Sequence, residues 1–175
     1  MRPNRFWFLP ILIATSGLAS ADKTESTSPD GKYSICTPEH SDNELPFFVI
    51  RAKDGKVLYS SKEDGCWNAS SIQWIRDGQL ALFQVNSRRY HYASVFSVSE
   101  NKVVYIYPEE ERFSTVPIRW VNSRTFVVEI SGPYTNARDP FIKYRKTYRV
   151  TAYPLKLESI YTGPKDITPP MKDDE

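Results

Sequence analysis

Histidine, cysteine and long apolar runs are all scarce in this chain, and each scarcity removes a class of function. Its 175 residues include two His and two Cys. A serine-nucleophile triad needs an imidazole and an acid around the hydroxyl. Only His40 and His91 are there to serve, and no Gly-x-Ser-x-Gly elbow presents a serine. The spacing around His40, in Thr37-Pro38-Glu39-His40-Ser41-Asp42-Asn43-Glu44, fits neither a His-x-x-x-His zinc pattern nor a calcium-binding loop. No cofactor is implied. A membrane-spanning helix takes about 20 apolar residues, and no run of that length is present. Charge of one sign is lacking too: 23 basic residues face 21 acidic ones, a formal net charge of +2. A chain so nearly neutral has no overall pull on nucleic acid or anionic lipid.

The first 21 residues have the layout of a secretory signal. Arg2 and Arg5 form a basic start, Phe6 to Ala14 an apolar stretch interrupted by Pro10, and Ala19-Ser20-Ala21 a small-residue cleavage site. An exported protein, periplasmic or secreted, is expected, with no membrane attachment after cleavage. Removing residues 1–21 takes away two arginines and no acids, so the mature chain has a formal charge of zero. Cys36 and Cys66 then remain as an isolated pair in an oxidising compartment, which predicts a disulfide between them. Closing a loop of that size contributes about 3 to 4 kcal/mol in the chain-entropy account.

Aromatic residues make up 14% of the chain, far above the level of disordered sequences, and the length suits one domain. Residues 22–29 are polar and aperiodic and read as a flexible leader; residues 163–175 read as a flexible acidic tail. Between them, residues 30–162 form a single β domain. Short runs rich in Val, Ile, Phe and Tyr, such as Phe47–Ala52, Gln79–Val85, Tyr92–Val98, Thr125–Ile130 and Tyr144–Thr151, alternate with turn residues. Asp30-Gly31, Asp54-Gly55 and Asp77-Gly78 are hairpin signals. No stretch after the signal carries a helical period. Leu80 and Leu82 alternate with Ala81, Phe83 and Val85, and Val103 and Tyr105 with Val104 and Ile106, so these strands are apolar on both faces and must be covered on both.

An internal repeat organises the runs. Trp74–Phe83 aligns with Trp120–Glu129, and Lys53–Tyr59 with Ser99–Tyr105, each at an offset of 46 positions. Three units result, near 28–70, 71–115 and 116–162. The segments Ser28-Pro29-Asp30-Gly31-Lys32 and Trp74-Ile75-Arg76-Asp77-Gly78-Gln79 resemble the Trp-Ser-Pro-Asp-Gly-Lys repeat of TolB-type periplasmic β-propellers, and Gly55-Lys56-Val57 resembles the hairpin that follows it there. The resemblance implies blade-like antiparallel meanders. Closed propellers have four to eight blades, and this chain has three units, the third with Asn122-Ser123-Arg124 in place of Asp-Gly. The fold class is therefore all-β: three repeated antiparallel meander units, propeller-blade-like or sandwich-like.

Other motifs are weighed against structural roles. Glu109-Glu110-Glu111 offers the carboxylates a glycosidase uses, but after Pro108 it reads as a solvated turn. The strand from Ile142 to Val150 puts Lys143, Arg145, Thr147 and Arg149 on one face, which suits an acidic polysaccharide or an acidic protein patch; the structural alternative is an edge strand guarded by its charges. Asn68-Ala69-Ser70 is a glycosylation sequon. If the units stack in register, the loops Thr37–Pro46, Asn86–His91 and Pro133–Pro140 share a rim. That rim brings Arg88, Arg89, Tyr90, His91, Tyr134 and Arg138 together as the candidate binding surface, Arg and Tyr being the side chains that dominate interface hot spots. The reading is an exported, non-enzymatic binding or scaffolding module whose partner is a protein or a second copy of itself. An exported inhibitor of a hydrolase is the first alternative and an enzyme of unrecognised type the second.

Overall fold

The computed structural model describes residues 23–38, 45–133 and 139–169, and these hold thirteen strands in three antiparallel sheets. The first sheet runs in chain order through β1 (Lys23–Thr27), β2 (Tyr33–Thr37), β3 (Val49–Ala52) and β4 (Val57–Ser60). The middle sheet repeats that meander with β5 (Asn68–Trp74), β6 (Leu80–Asn86), β7 (His91–Ser97) and β8 (Lys102–Ile106). The third does so again with β9 (Ser114–Asn122), β10 (Thr125–Gly132), β11 (Phe141–Ala152) and β12 (Leu155–Thr162), and β13 (Asp166–Thr168) joins β11 beside β12. The signal segment lies outside the described residues.

The turns account for the repeat. In each unit an Asp or Asn carboxyl or amide oxygen accepts a hydrogen bond from the backbone N–H two residues on. Asp30 receives Lys32 N at 3.2 Å, Asp54 receives Lys56 N at 3.0 Å and Asp77 receives Gln79 N at 3.0 Å. Asn122 receives Arg124 N at 2.9 Å. The third unit has lost its Asp-Gly but has kept this side-chain acceptor, so the β9–β10 hairpin still closes. At Gly31, Gly55 and Gly78 φ is between 68° and 86°, the left-handed region that the tight turn requires of them.

The middle sheet is buried between its neighbours. Leu80, Leu82, Val95 and Ile106 face the third sheet and pack with Phe126, Val128, Ile130 and Val150. Ala81, Phe83, Val85 and Val103 face the first sheet and pack with Ile35, Phe48 and Ile50. Both faces of β6 and β8 are covered, as their two-sided apolar pattern requires. Polar bonds fix the stacking register. Tyr59 and Tyr105, one repeat apart, join their hydroxyls at 2.5 Å, and Trp120 Nε1 donates to Gln73 O at 2.9 Å. Thr115 Oγ1 accepts from Ala93 N at 2.8 Å and donates to Ile106 O at 2.6 Å.

Four expectations need correction. The expected disulfide is not formed: Cys36 and Cys66 are both buried and are not bonded to each other. In β2, Ile35 points into the cluster that also contains Cys66, so strand alternation puts Cys36 on the opposite face. Cys36 Sγ there meets Ser34 Oγ at 3.3 Å, while Cys66 Sγ lies 3.6 Å from Asp64 O. The sheet stands between the two sulfurs. The leader read as flexible contains β1, paired along β2 from Lys23↔Thr37 to Thr27↔Ser34; a backbone ladder holds an edge strand that has no apolar period to announce it. Within the segment read as a flexible tail, β13 pairs with Phe141–Lys143. Finally, β11 is an interior strand, flanked by β10 and β12, so its basic residues guard no edge. They are matched instead by acids on the same face: Lys143 Nζ lies 2.8 Å and Arg145 Nε 3.6 Å from Glu129, and Arg149 Nη1 3.8 Å from Glu158.

Candidate functional site

In each sheet the second and third strands are joined by one of the three loops expected to share a rim. His40 and most of the first loop, together with Tyr134 and Arg138 of the third, lie outside the described residues. The second loop is fully described. Ser87 ties its base, receiving Tyr90 N on Oγ at 3.3 Å and donating its own N–H to Tyr90 O at 2.9 Å.

Beside this loop is a surface cleft of about 420 Å³. Arg89 and Tyr90 line it from the rim, Tyr92 from β7, and Tyr107 to Phe113 from the β8–β9 connection. Arg88 is exposed but does not line it. His91 is taken up by the rim's own framework, with Nδ1 2.6 Å from Asn86 Oδ1 and its backbone N–H on Ser114 Oγ at 3.1 Å. Asn86 also bonds Asn68, the sequon asparagine, which is exposed.

The β8–β9 connection supplies most of the cleft and was not recognised from the sequence. Its signal was the 46-residue repeat: strands and turns recur at that offset, whereas residues 107–113 match residues 61–67 only at Glu109 with Glu63 and, by type, at Glu110 with Asp64 and Phe113 with Trp67. Its aromatic wall is Tyr107, 63% exposed, whose ring meets Tyr92 edge-on at 5.0 Å and Tyr105 at 6.0 Å. Partial burial holds the Tyr92 and Tyr107 hydroxyls above the usual tyrosine range, so both stay protonated donors. Two of the three consecutive glutamates are held by lysines rather than simply solvated. Glu109 meets the nearly buried Lys146 at 2.7 Å and Glu110 meets Lys165 at 2.9 Å. The Lys146 hydrogen bond holds the Glu109 carboxyl below its usual range, and that same bond raises Lys146.

Arg112 sits at φ 66°, a left-handed conformation that costs a side chain other than Gly about 1–2 kcal/mol. β10 lies in close contact with it. A Cβ added to Gly132 would stand 2.8 Å from Arg112 O and 2.8 Å from Phe113 Cγ, so the absence of a side chain there lets the connection lie flat against the third sheet. Phe113 is buried in the core and anchors the connection. The arrangement is a rigidly backed cleft with a tyrosine wall and two exposed arginines, Arg89 and Arg112. Strain of this kind gathers at binding sites.

No family model matches the chain, and no curated protein matches it. Among solved structures it is similar to oligopeptidase B from Trypanosoma brucei with covalently bound antipain, in its closed form, at a TM-score of 0.50 and 8% identity, over 87% of this chain and 21% of that one. It also matches the β-propeller domain of the Trilobed protease from Pyrococcus furiosus, described as having an open velcro topology, at a TM-score of 0.45 and 14% identity, over 81% of this chain and 44% of that one. The chain thus spans about a fifth of the first protein and under half of the second. Likeness at these identities concerns fold alone. Together with the repeated meander it places the chain among propeller-like all-β proteins.

Proposed function

We propose that this chain is an exported β-repeat binding module without catalytic activity, which captures a protein partner through the cleft at the Asn86–His91 rim. The observation that carries the reading is the convergence of Arg89, Tyr90, Tyr107 and Arg112 on one cleft whose floor, Phe113, is locked into the core. Tyrosine gives large contact area with only two rotors to freeze, and arginine gives directional charge-assisted bonding, so both are enriched in protein-binding hot spots. Glu109 and Glu110 are committed to Lys146 and Lys165, which favours scaffolding over acid–base work for these carboxylates. The Ser-Pro-Asp-Gly-Lys and Trp-Ile-Arg-Asp-Gly turns support reading the units as TolB-type blades, a fold suited to presenting loops on one rim. The signal-like residues 1–21 support export.

Crosslinking in the native host followed by recovery of a stoichiometric partner tests the proposal. Arg89→Ala and Tyr107→Ala should each weaken that complex by about 2 kcal/mol, roughly thirtyfold, and leave the melting temperature unchanged, since both side chains are exposed. Unchanged affinity in both variants would remove the cleft from the interface.

A further inference from the structure

The charge of the rim cleft is reversed by two residues that do not line it. Three acids, Glu109, Glu110 and Glu111, and two bases, Arg89 and Arg112, form the charged part of its wall, which by themselves leave one negative charge in surplus. Lys146 of β11 lies 2.7 Å from Glu109, and Lys165, which follows β12, lies 2.9 Å from Glu110. With those two carboxylates cancelled, the formal surplus becomes one positive charge. Arg88, exposed on the same loop as Arg89, adds a second. Lys165 also stands over the Tyr144 ring, with Nζ 5.3 Å from its centroid. Arg89 and Arg112 are exposed and, among the described residues, neither is ion-paired. Glu111 is the one acid of the cleft that, among the described residues, has no lysine against it.

A guanidinium takes a carboxylate through two parallel N–H donors, and the Tyr92 and Tyr107 rings beside the arginines offer apolar faces. A surplus this small does not suit a polyanion such as nucleic acid, which is held through many phosphate contacts. A bare inorganic anion would leave the tyrosine faces without contact. We propose that the cleft selects an acidic segment of its protein partner, carboxylates set beside an aromatic side chain, and that Lys146 and Lys165 create this preference by cancelling Glu109 and Glu110. The proposal rests on the reading of this cleft as the site of protein capture. The partner's carboxylates meet Arg89 and Arg112, and its aromatic side chain lies against Tyr107. Lys165 is then a residue that sets specificity through Glu110 without itself lining the cleft.

The probe is a capped peptide, acetyl-Asp-Glu-Tyr-Asp-Glu-amide, titrated into the protein alongside its neutral isostere with Asn and Gln in place of the acids. The acidic peptide should bind about tenfold tighter than the isostere, and added salt should erase the difference. Arg112→Gln should weaken the acidic peptide about tenfold. Lys165→Gln, which frees Glu110 at an exposed site, should weaken it about threefold. Adding Glu110→Gln to Lys165→Gln returns the formal charge to that of the parent and should restore affinity, whereas a lysine needed only for its packing on Tyr144 predicts no recovery. Thermal melts verify that each variant keeps its fold. No binding of the acidic peptide at millimolar concentration, equal affinity for both peptides, indifference to Lys165→Gln, a double variant that stays weak, or equal displacement by inorganic phosphate would each overturn the proposal. Equal affinity for the two peptides, with both weakened by Tyr107→Ala, would overturn the acidic preference alone and leave the cleft a binding site. A partner held equally well by Arg89→Ala and Tyr107→Ala would remove the cleft itself.

Discussion

Leu82 and Phe83 are consecutive residues of β6, and the stacked-sheet architecture makes an unusual demand on them. Neighbours on a strand point to opposite faces, and in a sheet with one wet face one of the two would be exposed and replaceable at a cost within about 0.5 kcal/mol. Here both are 0% exposed. Leu82 packs among Val95, Ile106, Val128 and Ile130 between the middle and third sheets. Phe83 packs against Phe48, with ring centroids 5.6 Å apart and planes near perpendicular, between the middle and first sheets. Truncation to Ala removes the buried side chain and leaves a cavity on that side. Leu82→Ala should therefore cost about 2–5 kcal/mol and Phe83→Ala about 3–5 kcal/mol. For a domain of this size each kcal/mol is roughly 2–4 °C of melting temperature, so both variants should melt well below the parent. Urea denaturation followed by tryptophan fluorescence reads the free energies directly, with the slope checked for constancy. A cost under about 1 kcal/mol for either variant would mean that one face of the middle sheet is not covered, and would refute the stack.

Burial, with the Asp64 carboxylate and the mutual hydrogen bond, raises the Tyr105 hydroxyl far above its usual range, and burial raises Tyr59 as well. The folded chain then keeps protons that the unfolded chain loses above about pH 10, so stability is full below that value and falls as pH rises beyond it; Tyr105→Phe should make the fall between pH 9 and 11 shallower in urea titrations, and an identical slope would refute the linkage. Glu109→Gln strips the nearly buried Lys146 of its counter-charge and should destabilise the fold, whereas Lys146→Met leaves behind only an exposed carboxylate and should be close to neutral; equal losses in chemical denaturation would mean that the pair's worth is its mutual attraction.

Much of the blade structure was legible in local signals. The hairpins are set by side-chain acceptors at Asp54, Asp77 and Asn122 and by glycines at positive φ, all of which act within two or three residues. The two-sided apolar pattern of Leu80–Val85 called for cover on both faces, because burying either face alone leaves the other wet. The loop that carries Arg89 and Tyr90 was legible because it joins two strands with clear apolar patterns.

What remained hidden depends on partners distant in the chain. β1 and β13 have no apolar period and are ordered by the backbone ladders of β2 and β11. Cys36 and Cys66 look like a pair along the chain, yet strand alternation and the stacking of the sheets put them on opposite sides of the first sheet. Lys143, Arg145 and Arg149 resemble edge guards until β11 is seen to run inside the sheet, with Glu129 and Glu158 set against them. The cleft itself is built by a connection between two sheets, and its shape follows from Gly132, twenty residues beyond Arg112, leaving room for that arginine's carbonyl. Local chemistry thus determined the turns, the strands and the repeat. Tertiary structure alone decided which faces, thiols and charges meet, because those encounters are fixed by how three separately formed sheets stack.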